Sequence, residues 1–293
     1  ADPARAFIVY EGPDQPLPER YYLTCWKPDP AIFRRTPAPL LISSPGAGVD
    51  HIMKADPPAN VPVIRIVDAD LTGRMVEYVV LHALLHLRQT CDYLASQRLA
   101  RWDQRDQPAA REVTVGILGF GEMGRAAAYG LRAVGFKVAG WSRSARSADG
   151  VEPFNGAAGL GPFLAATDIL VNLLPSTPQT RGLIDRRLIA GLRHPGPLGG
   201  PCFINAGRGD AVKDADLVEA LTTGALRSAS LDVFVEEPLP PASPFWAMDN
   251  VIVTPHVAAD SMPDAVVACI MAEIGRFEAG APLLCRVDPA RGY

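Results

Sequence analysis

Three stretches set isolated polar residues at the ends of apolar runs: NAGRGD (205–210), LDVFVEEPLP (231–240) and VTPHVAA (253–259). Together they could reduce a carbonyl. Arg208 can bind a carboxylate and polarise the carbonyl next to it. His256, protonated, can give a proton to the oxygen as hydride reaches carbon. Glu237 as a carboxylate would hold the other imidazole nitrogen and raise the pKa of the ring, keeping it charged to higher pH. Each has a plainer reading alone: a surface arginine beside glycines, a solvated Glu236-Glu237 turn before Pro238, a satisfied structural histidine. The combination is what points to chemistry.

Such a reaction needs a hydride donor, and VTVGILGFGEMG (113–124) offers it a seat. Gly119-Phe120-Gly121-Glu122-Met123-Gly124 has the spacing GxGxxG. In a chain with 26 glycines this spacing arises by chance about 0.2 times, so the motif alone is weak. Its context strengthens it, because an apolar strand precedes it and a helix opens inside it. Gly119 permits the tight turn, Gly121 lets backbone approach a pyrophosphate, and Gly124 lets helix and strand pack closely. The helix N-terminus adds N–H groups and positive potential. The alternative is an ordinary strand-to-helix turn.

About 20 residues on, such a unit places an acid that grips the ribose of NAD. Here the place holds Trp141-Ser142-Arg143-Ser144. A carboxylate would repel a 2′-phosphate, whereas a guanidinium binds it by charge-assisted hydrogen bonds. Ser142 and Ser144 can donate further bonds. NADPH is therefore the expected cofactor, with NADH as the alternative donor. A solvated arginine after a strand is the plainer reading. A methyltransferase binding S-adenosylmethionine shares the glycine turn but would want an acid where Arg143 stands.

These residues must be positioned by strands alternating with helices. VTVGIL (113–118), FKVAGW (136–141), DILVNLL (168–174), CFINA (202–206), SASLDVF (228–234) and NVIVT (250–254) read as strands, with helical segments between most of them. Apolar strands of this kind predict a parallel sheet covered on both faces. Upstream, AFIVY (6–10), PLLIS (39–43) and VPVIRI (61–66) read as short strands. One long helical pattern runs from Thr72 to Leu99, and a last helix covers Pro263–Ala279. The fold class is α/β: two Rossmann-like or flavodoxin-like domains with parallel sheets and an active-site cleft between them. Residues 1–87 with 260–293 form the expected substrate domain, and 88–259 the NAD(P)-binding domain.

Composition narrows the classes. A net charge of −4 gives no general reason to bind nucleic acid or an acidic membrane surface. VVLHALLHL is too short for a membrane span, and the first residues lack the order of a signal peptide. Five scattered cysteines without CxxC predict free thiols in a cytoplasmic protein. His51, His82, His86 and His194 show no metal-ligand spacing, so no metal is expected.

GILGFGEMGR, NLLPSTPQTRGLI, NAGRGD, LDVFVEEPLP and TPHVAA, in this order, resemble the D-2-hydroxyacid dehydrogenases. GAGVDHI (46–52), MVEYVV (75–80), GWSRS, SPFW (243–246) and the closing VDPARGY are similar to the glyoxylate/hydroxypyruvate reductase A type. The resemblance implies an NADPH-preferring reductase of a small 2-oxo acid, with Arg208 on substrate and the Glu237–His256 pair as acid. It places the backbone amides of Ala47 and Gly48 at the substrate carboxylate and Trp26 in the pocket wall. It places Leu174, Pro175 and Ala206 along the cofactor, and Asp232 at the nicotinamide carboxamide. It also implies a homodimer, with the segment from Tyr93 to Trp102 contributing and Trp102 meeting the partner. Two rivals stand: an NAD-linked dehydrogenase of a larger 2-hydroxy acid, and a dinucleotide-sensing, corepressor-like binding protein. One departure is visible: the 25 residues before Trp26 are fewer than the family's opening βαβ unit occupies, and Pro-rich EGPDQPLPER stands where its first helix is expected.

Overall fold

The computed structural model describes residues 5–288, so most of the VDPARGY motif lies outside the described residues. The chain separates into two compact units: the residues up to Leu71 with those from Ser261 on, and Thr72–Asp260.

The first unit carries a three-stranded parallel sheet in the order β1 (Leu23–Thr24), β2 (Ile42–Ser43), β3 (Val63–Ile64). A 3₁₀ turn at Pro30–Arg34 joins β1 to β2, and α1 (Asp50–Lys54) joins β2 to β3. Ile32, Phe33, Ile42, Val49, Ile52 and Val63 form its core. The chain returns to this unit at its end: Val287 N–H donates to Val63, and Arg65 N–H to Cys285. AFIVY is not a strand. Phe7, Ile8 and Val9 are 67%, 55% and 78% exposed, and residues 6–10 pair with no ladder. Apolar β-formers need a neighbouring strand, and the edge was taken instead by Leu23-Thr24. EGPDQPLPER is turn and bend without helix.

From Thr72 the second unit takes in all but the first turn of α2 (Ala69–Leu87), and then α3 (Thr90–Arg98). The single long helix expected over this span is broken at Gln89, whose φ is +56°. Met75, Tyr78, Val79, Ala83 and Leu87 of α2 pack with Val115, Ile117, Val171 and Ile204, which is why α2 belongs to this unit and not to the residues before it. Strands and helices then alternate: β4 (Thr114–Leu118), α4 (Glu122–Ala133), β5 (Lys137–Ser142), β6 (Glu152–Asn155), α5 (Gly156–Ala166), β7 (Ile169–Asn172), α6 (Arg186–Ala190), β8 (Cys202–Asn205), α7 (Asp214–Thr223), β9 (Ser228–Leu231) and β10 (Val251–Val253). α8 (Pro263–Glu278) follows in the first unit. The sheet order is β10-β9-β8-β7-β4-β5-β6, parallel throughout.

Alternation along the strands feeds two cores. Val115, Ile117, Ile169, Val171 and Ile204 face α2 and α4, while Leu118, Leu170, Phe203 and Leu231 pack with Phe163, Leu188 and Leu217 on the other side. Strand order reverses direction between β4 and β7, and ligands of such sheets bind at the carboxyl ends beside that point. No helix among the described residues is long and apolar enough to cross a membrane.

Candidate active site

The turn after β4 is made of close backbone approaches. Gly119 has φ +108°, and a Cβ there would lie 2.9 Å from the Leu173 carbonyl carbon. A Cβ on Gly124 would lie 2.3 Å from the Gly119 carbonyl oxygen. On Gly121 a Cβ would meet nothing within 4 Å, so the space in front of the N-terminus of α4 is open. Glu122 in that first turn is paired with Arg125, and Met123 packs against the core. The residues fit a dinucleotide pyrophosphate: tight where protein meets protein, open where a ligand would lie.

β5 runs beside β4 and delivers Arg143 one residue past its end, exposed, next to the same turn. Gly119 and Phe120 both donate their N–H to the Trp141 carbonyl, tying the glycine turn to this strand. The Ser142 hydroxyl donates to the Ser144 carbonyl at 2.8 Å and braces the backbone around Arg143.

Beyond β7 and β8 a buried amide pair sets the next two loops. Asn172 Nδ2 donates to Asn205 Oδ1 at 2.9 Å, Leu174 N–H donates to Asn172 Oδ1, and Asn205 Nδ2 donates to the Arg208 carbonyl. Leu174 and Ala206 are buried, while Pro175 is half-buried. A Cβ on Gly207 would lie 2.8 Å from the Leu174 carbonyl oxygen, and one on Gly209 would lie 2.0 Å from the Phe234 carbonyl carbon. Arg208 therefore sits between two positions where only glycine lets neighbouring loops close up. Its Nη1 donates to the Gly207 carbonyl at 2.8 Å. The Asn pair was missed in the sequence; its signal was one polar residue inside each apolar run, DILVNLL and CFINA.

The loops after β9 and β10 bring Glu237 and His256 together. Glu237 Oε2 lies 2.9 Å from His256 Nδ1, and Oε1 accepts from Phe234 N–H at 3.1 Å. With Nδ1 on the carboxylate, Nε2 is left for a substrate. His256 has φ +57°, a left-handed conformation that costs a non-glycine residue about 1–3 kcal/mol and persists only when its surroundings enforce it. Asp232 is one source of that enforcement. It is 1% exposed, its carbonyl accepts from His256 N–H, and its carboxylate accepts from Val257 N–H at 2.9 Å and Ala258 N–H at 3.0 Å. Its side chain thus binds protein, not only the carboxamide expected of it.

In the first unit, Trp26 lies over the loop that carries Ala47 and Gly48. A Cβ on Gly46 would lie 3.3 Å from the indole, which also packs against the His51 ring, tilted by 47° with ring centres 4.0 Å apart. The Ser44 hydroxyl donates to the Gly48 carbonyl at 2.7 Å and accepts from Gly46 N–H, so the loop is held before any ligand arrives. His82 and His86 are buried and bonded to Ser230 and Ser228 on β9.

The family profile described as D-isomer specific 2-hydroxyacid dehydrogenase, NAD binding domain, matches residues 80–258. The chain belongs to this dehydrogenase family. A glyoxylate/hydroxypyruvate reductase A of Serratia proteamaculans is 38% identical over 288 residues, 96% of this chain and 90% of that protein. A crystal structure of an NADPH-dependent glyoxylate/hydroxypyruvate reductase from Sinorhizobium meliloti, in complex with NADP and sulfate, aligns with a TM-score of 0.90 at 50% identity, over 93% of this chain and 86% of that one. A D-isomer specific 2-hydroxyacid dehydrogenase from Xanthobacter autotrophicus, in complex with NADPH and MES, aligns at 0.88 and 42%, over 93% and 85%. As a member of this family, the dehydrogenase is an NAD(P)-dependent oxidoreductase. Its glycine turn and its Arg208, Glu237 and His256 all lie at the carboxyl ends of one sheet.

Proposed function

We propose that the enzyme reduces a small 2-oxo acid, such as glyoxylate or hydroxypyruvate, to the D-2-hydroxy acid with NADPH. The observation that carries this is the 2.9 Å bond between Glu237 and His256 Nδ1, which occupies Nδ1 and leaves Nε2 to serve as the proton donor. Arg208 binds the substrate carboxylate and draws electron density from the neighbouring carbonyl oxygen. His256 Nε2–H gives its proton to that oxygen, and Glu237 stabilises the ring orientation throughout. The resemblance to the family adds the Ala47 and Gly48 amides and Trp26 to the groups proposed to bind substrate. NADPH, when bound, supplies the hydride. Gly119, Gly121, Gly124 and the first amides of α4 would hold its pyrophosphate, Arg143 with Ser142 and Ser144 its 2′-phosphate, and Leu174, Pro175, Ala206 and Asp232 its nicotinamide half.

The presence of Arg208, Glu237 and His256 together favours catalysis over dinucleotide sensing. Leu99 and Trp102, which follow α3, are 60% and 98% exposed, which supports a homodimer through this segment.

Initial rates of glyoxylate reduction test the reading. Wild type should prefer NADPH to NADH, and Arg143→Ala should lose that preference by about 10- to 150-fold, the worth of one charge-assisted hydrogen bond. Equal rates in wild type would return Arg143 to the surface and favour the NAD-linked alternative. His256→Gln should bind NADPH normally and reduce glyoxylate at least 100-fold more slowly, roughly the worth of general acid catalysis. Turnover that survives this change would remove His256 as the proton donor.

A further inference from the structure

Behind the histidine loop runs a chain of hydroxyls that ends on α2. Thr254 Oγ1 lies 2.6 Å from Asp232 Oδ1 and 2.9 Å from Tyr78 Oη. A carboxylate only accepts, so the Thr254 hydroxyl spends its proton on Asp232 and must accept from Tyr78. The chain therefore has one direction: Tyr78 donates to Thr254, and Thr254 donates to Asp232. Burial pushes the Tyr78 phenol up from its ordinary range, which keeps it a donor. Its ring is itself held, stacked on His82 with centres 4.0 Å apart, and His82 Nδ1 lies 2.7 Å from the Ser230 hydroxyl.

The Asp232 carboxylate gathers both sides of His256. It takes Thr254 from before the histidine, and Val257 and Ala258 from after it. Two backbone N–H groups already satisfy a buried carboxylate in part. The third donor, Thr254, follows directly on β10 and precedes His256 by two residues, and its orientation is set by Tyr78 on α2. That arrangement fixes the rotation of the carboxylate plane, and with it the left-handed turn that aims the imidazole at Glu237.

We propose that Tyr78 and Thr254 are positioning residues for His256, acting through Asp232 on the placement of the proton donor. This rests on His256 being that donor. Neither residue touches substrate, cofactor or the reacting atoms in this proposal. Loosening the chain leaves a folded enzyme that binds NADPH but aligns Nε2 poorly with the carbonyl oxygen.

The experiment compares Thr254→Val, Thr254→Ser and Tyr78→Phe with wild type and His256→Gln. It reads kcat and KM for glyoxylate, NADPH affinity by fluorescence, melting temperature, and the solvent deuterium isotope effect on kcat. Misplacing a catalytic group by an ångström can slow a reaction by about 100-fold, which bounds the effect. Thr254→Val should lower kcat about 10- to 100-fold with NADPH affinity falling much less than kcat, and raise the isotope effect as proton transfer becomes limiting. Tyr78→Phe should lower kcat by a smaller factor, and Thr254→Ser, which keeps the hydroxyl, should restore most of the rate. A melting temperature that falls while kcat and the isotope effect stay at wild-type values would reduce the chain to a structural role and overturn the proposal. So would a loss confined to NADPH affinity. If Thr254→Val does not fold, Tyr78→Phe decides the matter by the same readings, since it removes one oxygen and keeps the stacked ring. If His256→Gln turns over normally, the proton-donor reading fails first; if His256→Gln is inactive while Thr254→Val is normal, only the positioning proposal fails.

Discussion

Around Gly119, Gly121 and Gly124 the chain is placed by side chains that are missing, whereas around His256 it is placed by side chains that hold on. At the glycine turn the contacts are backbone against backbone, with a Cβ on Gly124 only 2.3 Å from a carbonyl oxygen. At the histidine loop, Glu237, Asp232 and Thr254 supply the bonds that keep a φ of +57° in place. The two tasks differ in the same way. A pyrophosphate is recognised by an array of N–H groups that must come close to it, so bulk has to be absent. A proton donor must point in one direction, so its ring and its backbone have to be tied. Damage should follow the construction: steric at the first end, polar and pH-dependent at the second.

The largest effect should come from Gly124→Ala. Its Cβ would meet backbone, which cannot swing aside, so helix α4 would have to move away from β4. A loss on the order of 3 kcal/mol is expected, seen as a large fall in melting temperature or as insoluble protein. A variant with wild-type melting temperature would show that the turn is not packed as tightly as described.

The next effect belongs to the polar side. Burial lowers the pKa of His82 to about 4 and that of His86 to about 3. Both are therefore neutral in the folded protein and gain protons on unfolding below their ordinary value near 6.5. Folded pKa values that lie below the unfolded one mean stability is intact above pH 6.5 and declines as pH falls towards 4 and then 3. Each histidine contributes on the order of 1 kcal/mol per pH unit across that window. Melting temperature should fall from pH 7 to pH 5, and His82→Gln should make the fall shallower. An equal slope in the variant would mean that other groups drive acid unfolding. The glycine turn contains no histidine.

The same contrast explains what could be read from the sequence. The strands β4, β5, β7, β8 and β9 were legible because each is largely buried on both faces, and the half-buried edge strand β10 because Val251-Ile252-Val253 is apolar throughout; their carboxyl ends carry the polar residues of the site. β6 was not, because Glu152-Pro153-Phe154-Asn155 is an edge strand with exposed residues and a proline, and needs no apolar pattern. AFIVY misled for the opposite reason, having the pattern without a partner strand. The break at Gln89 was invisible because helical spacing resumes after it. Arg208, Glu237 and His256 stood out as charges at strand ends, and the structure brings the last two into contact. Asn172, Asn205, Tyr78 and Thr254 did not, since their importance lies in which neighbour each one meets. A hydroxyl inside EYVV or at the end of VIVT carries no mark of the carboxylate it serves.

The smallest effect would sharpen the comparison most. Gly121 stands at the same turn as Gly124, three residues away, yet a Cβ there would meet nothing within 4 Å, and its φ of −86° is one that alanine adopts. Gly121→Ala should therefore fold and melt like wild type. The added methyl would occupy space that the pyrophosphate needs, so the KM for NADPH should rise about 10-fold or more, equivalent to about 1.4 kcal/mol. The kcat at saturating NADPH should change little, because Arg208, Glu237 and His256 are untouched. Titrating NADPH against Gly121→Ala, with melting curves alongside, separates the two kinds of glycine. If stability falls and affinity does not, Gly121 is a packing position like Gly124, and the open space before α4 is not where the phosphates lie. If affinity falls alone, one glycine of the turn is kept for the protein and the other for its ligand.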